Sequence, residues 1–219
     1  MHPPETAALS ATSAALKRSF DVVVACAGLI LCSWLIALAW VAARLDTGQG
    51  FFRQERVGYG GRPFRIVKIS TMRQSLGPAT TTTVADDPRI TRVGRFLRAT
   101  KLDELPQLYN VLMGDMSIVG PRPDVPGYAD TLTGEDRVVL AVRPGITGPA
   151  TLQFRDEERM LLSQPDPERF NREVLFPAKV RINRAYVENY HFTDDLRYIA
   201  ATIFPRLVSA PGPRRHSND

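Results

Sequence analysis

At 219 residues, the chain is long enough for one good core and a membrane or surface appendage, but not for several domains. Its net charge of +5 favours anionic partners such as lipid headgroups, nucleic acid or phosphorylated substrates. Its two cysteines, Cys26 and Cys32, lie in an apolar run and its three histidines are scattered, so neither a disulfide framework nor a zinc site is on offer. Any metal would be a hard cation held by carboxylate and phosphate oxygens.

Residues 1–16 are small, polar and proline-bearing, and read as a disordered lead. Residues 22–43 carry no charge and are long enough for a membrane helix, placing a membrane segment at 17–45. Such an apolar run is too long for a signal-peptide core, and Arg44 resumes a basic segment at once. Basic residues flank both ends, Lys17 and Arg18 before and Arg44, Arg53, Arg56, Arg62, Arg65 and Lys68 after. The positive-inside rule would keep both ends on the cytoplasmic side, which a re-entrant hairpin satisfies; a single span satisfies it at one end only, though the larger downstream basic excess would still favour it. The candidate break is Cys32-Ser33-Trp34, where Ser33 can back-bond to a carbonyl.

A single domain is expected over 46–208, followed by a polar, disordered tail at 209–219. Two short strands at 51–57 and 63–69 flank a glycine turn, with Phe51 and Phe52 suited to headgroup depth. Residues 75–85 read as a mobile loop, placed to act as a lid. A helix follows with Thr91 as its cap. Its arginines, at every third residue from Arg89 to Arg98, wind around it instead of forming one stripe. Arg98 is the one placed to point toward Asp103 and Glu104.

The centre of the pattern is KLDELPQLYN at 101–110. Pro106 belongs in a first helical turn, and Leu105, Leu108 and Leu112 follow at helical spacing, so Asp103 and Glu104 sit at a helix start. Free N–H groups there favour negative charge, although the same pattern also fits a plain N-cap. Gly114 ends the helix, and a short strand runs into Arg122, held between two prolines that fix its backbone. RPGITGP at 143–149 reads as a second rigid turn, structural when taken alone. Helices are expected at 166–177, 178–190 and 196–208, the last fitting either a core or a membrane interface.

Taken together, KRxFD at 17–21, FFRQERVG at 51–58, Lys68 with Thr71 and Met72, RITRVGRFLR at 89–98, LDELPQLYNVL at 102–112, GDMSIVGPRP at 114–123 and RPGITG at 143–148 resemble one family. It is the bacterial sugar transferases, the monotopic polyprenyl-phosphate phosphoglycosyl transferases, and the match runs from 17 to about 208. The resemblance implies an α+β protein: a membrane-embedded re-entrant N-terminal hairpin, and a small, mainly helical cytosolic domain with a β-hairpin and interfacial amphipathic helices. It implies transfer of a sugar 1-phosphate from a UDP-sugar to undecaprenyl phosphate, releasing UMP and initiating a bacterial surface glycan at the inner membrane. By family position Asp103 is the nucleophile and Glu104 holds Mg²⁺ with it or assists the acceptor. Arg98 meets the prenyl phosphate and Arg122 the donor phosphates, with Lys68 a further substrate contact.

The chain departs from the family at Trp34, where a proline usually follows the serine, and at Ser70, where an arginine usually precedes Thr-Met. Its segment 149–158 resembles one branch of the family. A homo-oligomer is compatible with all of this. Nucleic acid is not an expected partner, because aromatics do not interleave with the basic residues. The competing class is a membrane-tethered basic module that binds anionic lipid or phosphorylated ligands without turnover.

Overall fold

The computed structural model describes residues 9–73 and 87–208. The chain opens with α1 (Ala11–Thr47), a 37-residue helix whose N-cap Ser10 accepts from Ser13 N–H and whose last turn closes on Gly48 in the left-handed region. Helix therefore begins inside the stretch expected as a lead, while 1–8 and the tail from 209 lie outside the described residues, as does the loop expected at 75–85. The antiparallel hairpin of β1 (Phe51–Val57) and β2 (Pro63–Ile69) has the expected bounds, with Phe51 opposite Ile69 and Val57 opposite Pro63.

Next come α2 (Arg92–Ala99), capped by Thr91 Oγ1 on Gly94 N–H at 2.8 Å, a 3-10 turn (Leu102–Glu104) and α3 (Gln107–Met113), which stops on Gly114 at φ 93°. Strand β3 (Ser117–Val119) then pairs in parallel with β4 (Gly145–Thr147), the two being separated by a 3-10 segment, Gly134–Ala141. The remainder is helical: α4 (Pro149–Gln153), α5 (Glu157–Leu162), α6 (Pro167–Phe170), α7 (Phe176–Glu188) and α8 (Phe192–Ile203).

Three sequence expectations change here. The RPGITG stretch is a strand, not a turn: its glycines let backbones touch, since a Cβ on Gly145 would stand 2.1 Å from Gly120 N and one on Gly148 2.2 Å from Gly120 O. The helices expected at 166–177 and 178–190 form one helical path with a π turn at Asn171–Leu175, because Pro177 has no N–H to continue the ladder. Helix α8 starts four residues early. Asp194 and Asp195 therefore fall in its first turn, where carboxylates are favoured, and it is partly core, with Tyr198 and Ala201 buried.

The largest change concerns α1, which is one unbroken helical run through Cys32-Ser33-Trp34. Ser33 does back-bond to Ile30 O at 3.0 Å, but no loop separates two helices. Lys17 and Arg18, expected to flank a membrane, are instead docked on the domain. Lys17 Nζ lies 2.5 Å from buried Asp195, which also accepts from Tyr186 and Tyr190 hydroxyls at 2.7 and 3.1 Å. Arg18 donates to the end carbonyls of α3, Val111 O and Leu112 O, at 2.6 and 2.9 Å. Buried Asp21 accepts from Ser117 Oγ and Ile118 N–H at 3.0 and 2.9 Å.

Further along α1, Ala25 joins the main core with Ile66, Leu108, Val111, Met116 and Val119. Ala39 and Ala43 pack with Ile69 and Leu97. Both halves of α1 thus rest on the same domain, while Ile30, Leu31, Trp34 and Leu38 between them stay exposed. The helix is long and apolar enough to cross a membrane, with a mean hydropathy of 2.6 over its most apolar window. An exposed apolar surface of this size marks a lipid-facing or partner-facing side.

Candidate active site

The Asp103–Glu104 pair sits on the 3-10 turn between α2 and α3, with Pro106 as the N-cap of α3. The chain enters the turn through Lys101 in the left-handed region (φ 59°), a conformation uncommon for a residue with a side chain and found at constrained sites. Asn110, one turn into α3, holds this corner against the hairpin: its Nδ2 donates to Arg65 O at 2.8 Å and its Oδ1 accepts from Val67 N–H at 3.0 Å. That bond sets the register between the acidic turn and Lys68 on β2. The sequence motif contains Asn110 and fully buried Gln107 without assigning either a task, because only the fold brings β2 beside α3.

Both carboxylates are 8% exposed, yet they differ sharply in environment. Glu104 Oε1 accepts from Arg122 Nη2 at 2.7 Å and lies 3.4 Å from Lys68 Nζ. Burial alone would raise its pKa, but the Arg122 and Lys68 charges, with the Arg122 hydrogen bond, outweigh burial and hold the carboxyl well below the usual range. Asp103 Oδ1 is buried with no hydrogen-bond partner among the described residues. Burial, and then the Glu104 charge, push the Asp103 carboxyl upward, while Lys68, Lys101 and Arg98 pull the other way. Burial drives Lys68 down to about 8, against the pull of Glu104. Arg122 is held protonated, above all by Glu104.

These groups line an open cleft of about 1420 Å³. Arg98 lines it too, but its guanidinium pairs with Glu158 on α5 instead of turning directly onto the Asp103–Glu104 pair. Arg89 forks onto the Asp87 carboxylate, with contacts of 2.6 and 2.9 Å, and serves its own loop. A second ionic group extends the cleft. Lys179 on α7 pairs with Glu157 at 2.5 Å, and Arg56 Nη1 donates to Pro123 O at 3.1 Å. Arg56 thereby braces the Pro-Arg-Pro turn that presents Arg122. Burial pushes Asp124 up to about 6 and, with the Arg122 charge, Arg56 down to about 10. In the sequence Arg56 is a membrane-flanking charge within the FFRQERVG motif with no task of its own, and Asp124 and Lys179 carry no motif.

Among the described residues no three carboxylate, imidazole or thiol groups cluster, so the adjacent Asp103 and Glu104 would offer a cation two carboxylates and leave its other positions to water or substrate. Two carboxylates, one of them with an unpartnered oxygen, suit Mg²⁺, which commonly keeps water and takes its other oxygens from substrate phosphates. A buried acidic pair within an open, cationic cleft can therefore hold a phosphorylated ligand while leaving one carboxylate oxygen uncommitted.

A family model described as bacterial sugar transferase matches residues 12–209. The chain belongs to the bacterial sugar transferase family. It is 34% identical to the exopolysaccharide production protein ExoY of Sinorhizobium fredii over 92% of this chain and 89% of that protein. With the UDP-glucose:undecaprenyl-phosphate glucose-1-phosphate transferase of Escherichia coli it shares 35% identity, over 92% of this chain but 42% of that protein. The Caulobacter vibrioides transferase of the same description is 45% identical over 63% of this chain and 53% of that protein. As a member of this transferase family the chain is an enzyme, and its cleft is the candidate site of transfer.

Proposed function

We propose that this sugar transferase moves a sugar 1-phosphate from a UDP-sugar to undecaprenyl phosphate, in two steps through Asp103. In the first step a carboxylate oxygen of Asp103 attacks the phosphorus that bears the sugar. The bond from that phosphorus to the oxygen bridging the two phosphates breaks, and UMP leaves with the electron pair. In the second, an oxygen of the prenyl phosphate attacks the same phosphorus and restores the Asp103 carboxylate, giving polyprenyl-diphosphate-sugar. Splitting the transfer lets donor and acceptor use one cleft in turn.

The observation that carries this reading is the division of labour between adjacent carboxylates. Glu104 is committed to Arg122 and Lys68, whereas Asp103 keeps a buried oxygen without a partner. Arg122 and Lys68 neutralise phosphate charge, and Arg98 is released to the acceptor phosphate by exchanging Glu158 for it. Asp103 and Glu104 would hold Mg²⁺, which supplies charge neutralisation on the phosphates when bound.

The acceptor is a lipid, and α1 supplies the matching surface. Its two halves dock on one domain and its exposed apolar middle enters the bilayer from that side. In place of a broken hairpin we read a continuous helix lying in the cytoplasmic leaflet of the inner membrane, with both ends on the cytoplasmic side. Names of relatives that specify undecaprenyl phosphate support the acceptor, and those naming exopolysaccharide production support a role in initiating a surface glycan.

The test is an intact-mass measurement of the detergent-purified protein with Mg²⁺ and a panel of UDP-sugars, without lipid. A sugar-phosphate adduct is expected on the native protein and not on Asp103→Asn. An adduct that persists in Asp103→Asn removes the assignment of the nucleophile. In a parallel reaction with undecaprenyl phosphate added, prenyl-diphosphate product formed with no adduct at any time point removes the two-step course.

A further inference from the structure

The cleft has a wall that phosphate chemistry does not use. On α7, Asn183 is only 7% exposed, lines the cleft, and has an Oδ1 with no hydrogen-bond partner among the described residues. On α4, which packs against α7, Thr151 lines the same cleft and its buried Oγ1 is likewise unpartnered among the described residues. Buried polar atoms are nearly always paired, so two orphans on facing helices call for a partner that protein alone does not supply.

Their chemistry says what kind of partner. In the proposed transfer phosphate would be met by guanidinium and ammonium groups, whereas a neutral amide oxygen and a hydroxyl match hydroxyl and amide groups. Apolar surface from Phe176 and Val180, on the same helix, borders them. That combination of a few directional groups on apolar ground suits a sugar ring. Position agrees. Asn183 follows Lys179 by one turn on the same side of α7, Lys179 is held by Glu157, and Glu157 lies in the field of Arg122, the partner of Glu104. The neutral wall thus adjoins the ionic end of the cleft. A donor sugar, joined through one oxygen to the phosphorus attacked by Asp103, must sit next to that end, whereas the nucleobase lies beyond a further phosphate and a ribose.

We propose that Asn183 and Thr151 form the subsite that reads the hydroxyl and amide pattern of the donor sugar, and so set which UDP-sugar this chain uses. The inference rests on the transferase reading above. Wild type, Asn183→Leu and Thr151→Val are compared in kcat/KM across UDP-glucose, UDP-galactose, UDP-N-acetylglucosamine and UDP-N-acetylgalactosamine, with UMP inhibition measured alongside. The substitutions are close in volume and remove only the polar atoms, and UMP inhibition reports an intact nucleotide site.

The expected result is a loss of roughly 10- to 100-fold for the preferred sugar, with a smaller loss or a gain for its epimer, at unchanged UMP inhibition. An even loss across all four sugars, or no change, overturns the proposal. A parallel weakening of UMP inhibition overturns it in favour of nucleoside recognition. Wild-type protein that uses none of a wider donor panel overturns the transferase reading itself, and this inference with it.

Discussion

Two neighbouring carboxylates with equal exposure are given opposite character by their surroundings. Glu104 stays ionised at any working pH because Arg122 and Lys68 overcome its burial, so it does not set the acid side of a pH profile. Lys68 is the group that titrates near neutrality, driven down to about 8 by burial. If its charge serves the phosphates, kcat/KM falls as pH rises through about 8. Lys68→Arg keeps the charge and is expected to move that alkaline limb upward by more than one unit, as a pH–rate profile with saturating Mg²⁺ will read. An alkaline limb that stays in place in Lys68→Arg assigns it to another group.

Asp124 works in the opposite sense. Its folded carboxyl, raised to about 6 by burial, binds its proton more tightly than in the unfolded chain. The stability this contributes is complete below the unfolded value near 4 and is lost as pH rises through 6. Asp124→Asn is therefore expected to raise the melting temperature at pH 7.5, by a gain of at most about 3 kcal/mol that fades toward pH 4. Melting curves of both proteins across pH 4–8 check it, and an equal gain at both ends excludes titration as the cause.

At the scale of elements, the joint between α1 and the domain is built from buried polar contacts instead of apolar packing alone. Lys17 is 6% exposed against Asp195 at 2% or less of its surface, and two tyrosine hydroxyls complete the set. Removing one partner of a buried ion pair leaves an unpaired charge, which costs about 3–5 kcal/mol. Lys17→Met should therefore lower the melting temperature in detergent by roughly 10 °C for a chain of this size. The double change Lys17→Met with Asp195→Asn should recover much of that loss. Without such recovery, the pair is not what couples helix to domain. The same joint explains the helix-end role of Arg18, whose guanidinium caps the last carbonyls of α3: Leu112 O, and Val111 O, which also accepts from the Gly114 N–H.

For the whole molecule, the arrangement places the acidic turn beside the segment that would meet lipid. Leu108, on α3 just after the pair, packs against Gly28 of α1, and Ala39 and Ala43 hold the far half of the helix to α2 and β2. This geometry gives a topology prediction. In a background with Cys26 and Cys32 replaced by alanine, single cysteines at Ser10 and Gly48 should both react with a membrane-impermeant thiol reagent only after the cytoplasmic side is opened. Labelling of Ser10→Cys in intact spheroplasts, with Gly48→Cys protected, indicates a single span instead.

Much of this was legible in the chain itself. The β-hairpin bounds follow from two apolar–polar runs around a glycine turn, and the cap at Thr91, the stop at Gly114 and the acidic pair before a proline-started helix follow from local backbone chemistry. These are short-range effects, decided by a residue and its neighbours within a turn. The motifs also identified the family. What the tertiary structure decided are the pairings across long sequence separations. Lys17 and Arg18 read as headgroup charges until α7, α8 and α3 bring partners to them, and RPGITG reads as a turn until β3 lies alongside its glycines. Arg56 and Asn110 sit inside sequence motifs that assign them no task, and Asp124, Lys179 and Asn183 sit in none, because the Pro123 carbonyl that Arg56 holds, the β2 backbone that Asn110 holds and the Glu157 that Lys179 pairs with are all more than a dozen residues away. Sequence by itself thus named the candidate residues and set those caps, stops and turns that depend on near neighbours alone. Only the fold decided which carboxylate is left uncommitted, because that depends on where Arg122 and Lys68 arrive beside the buried pair.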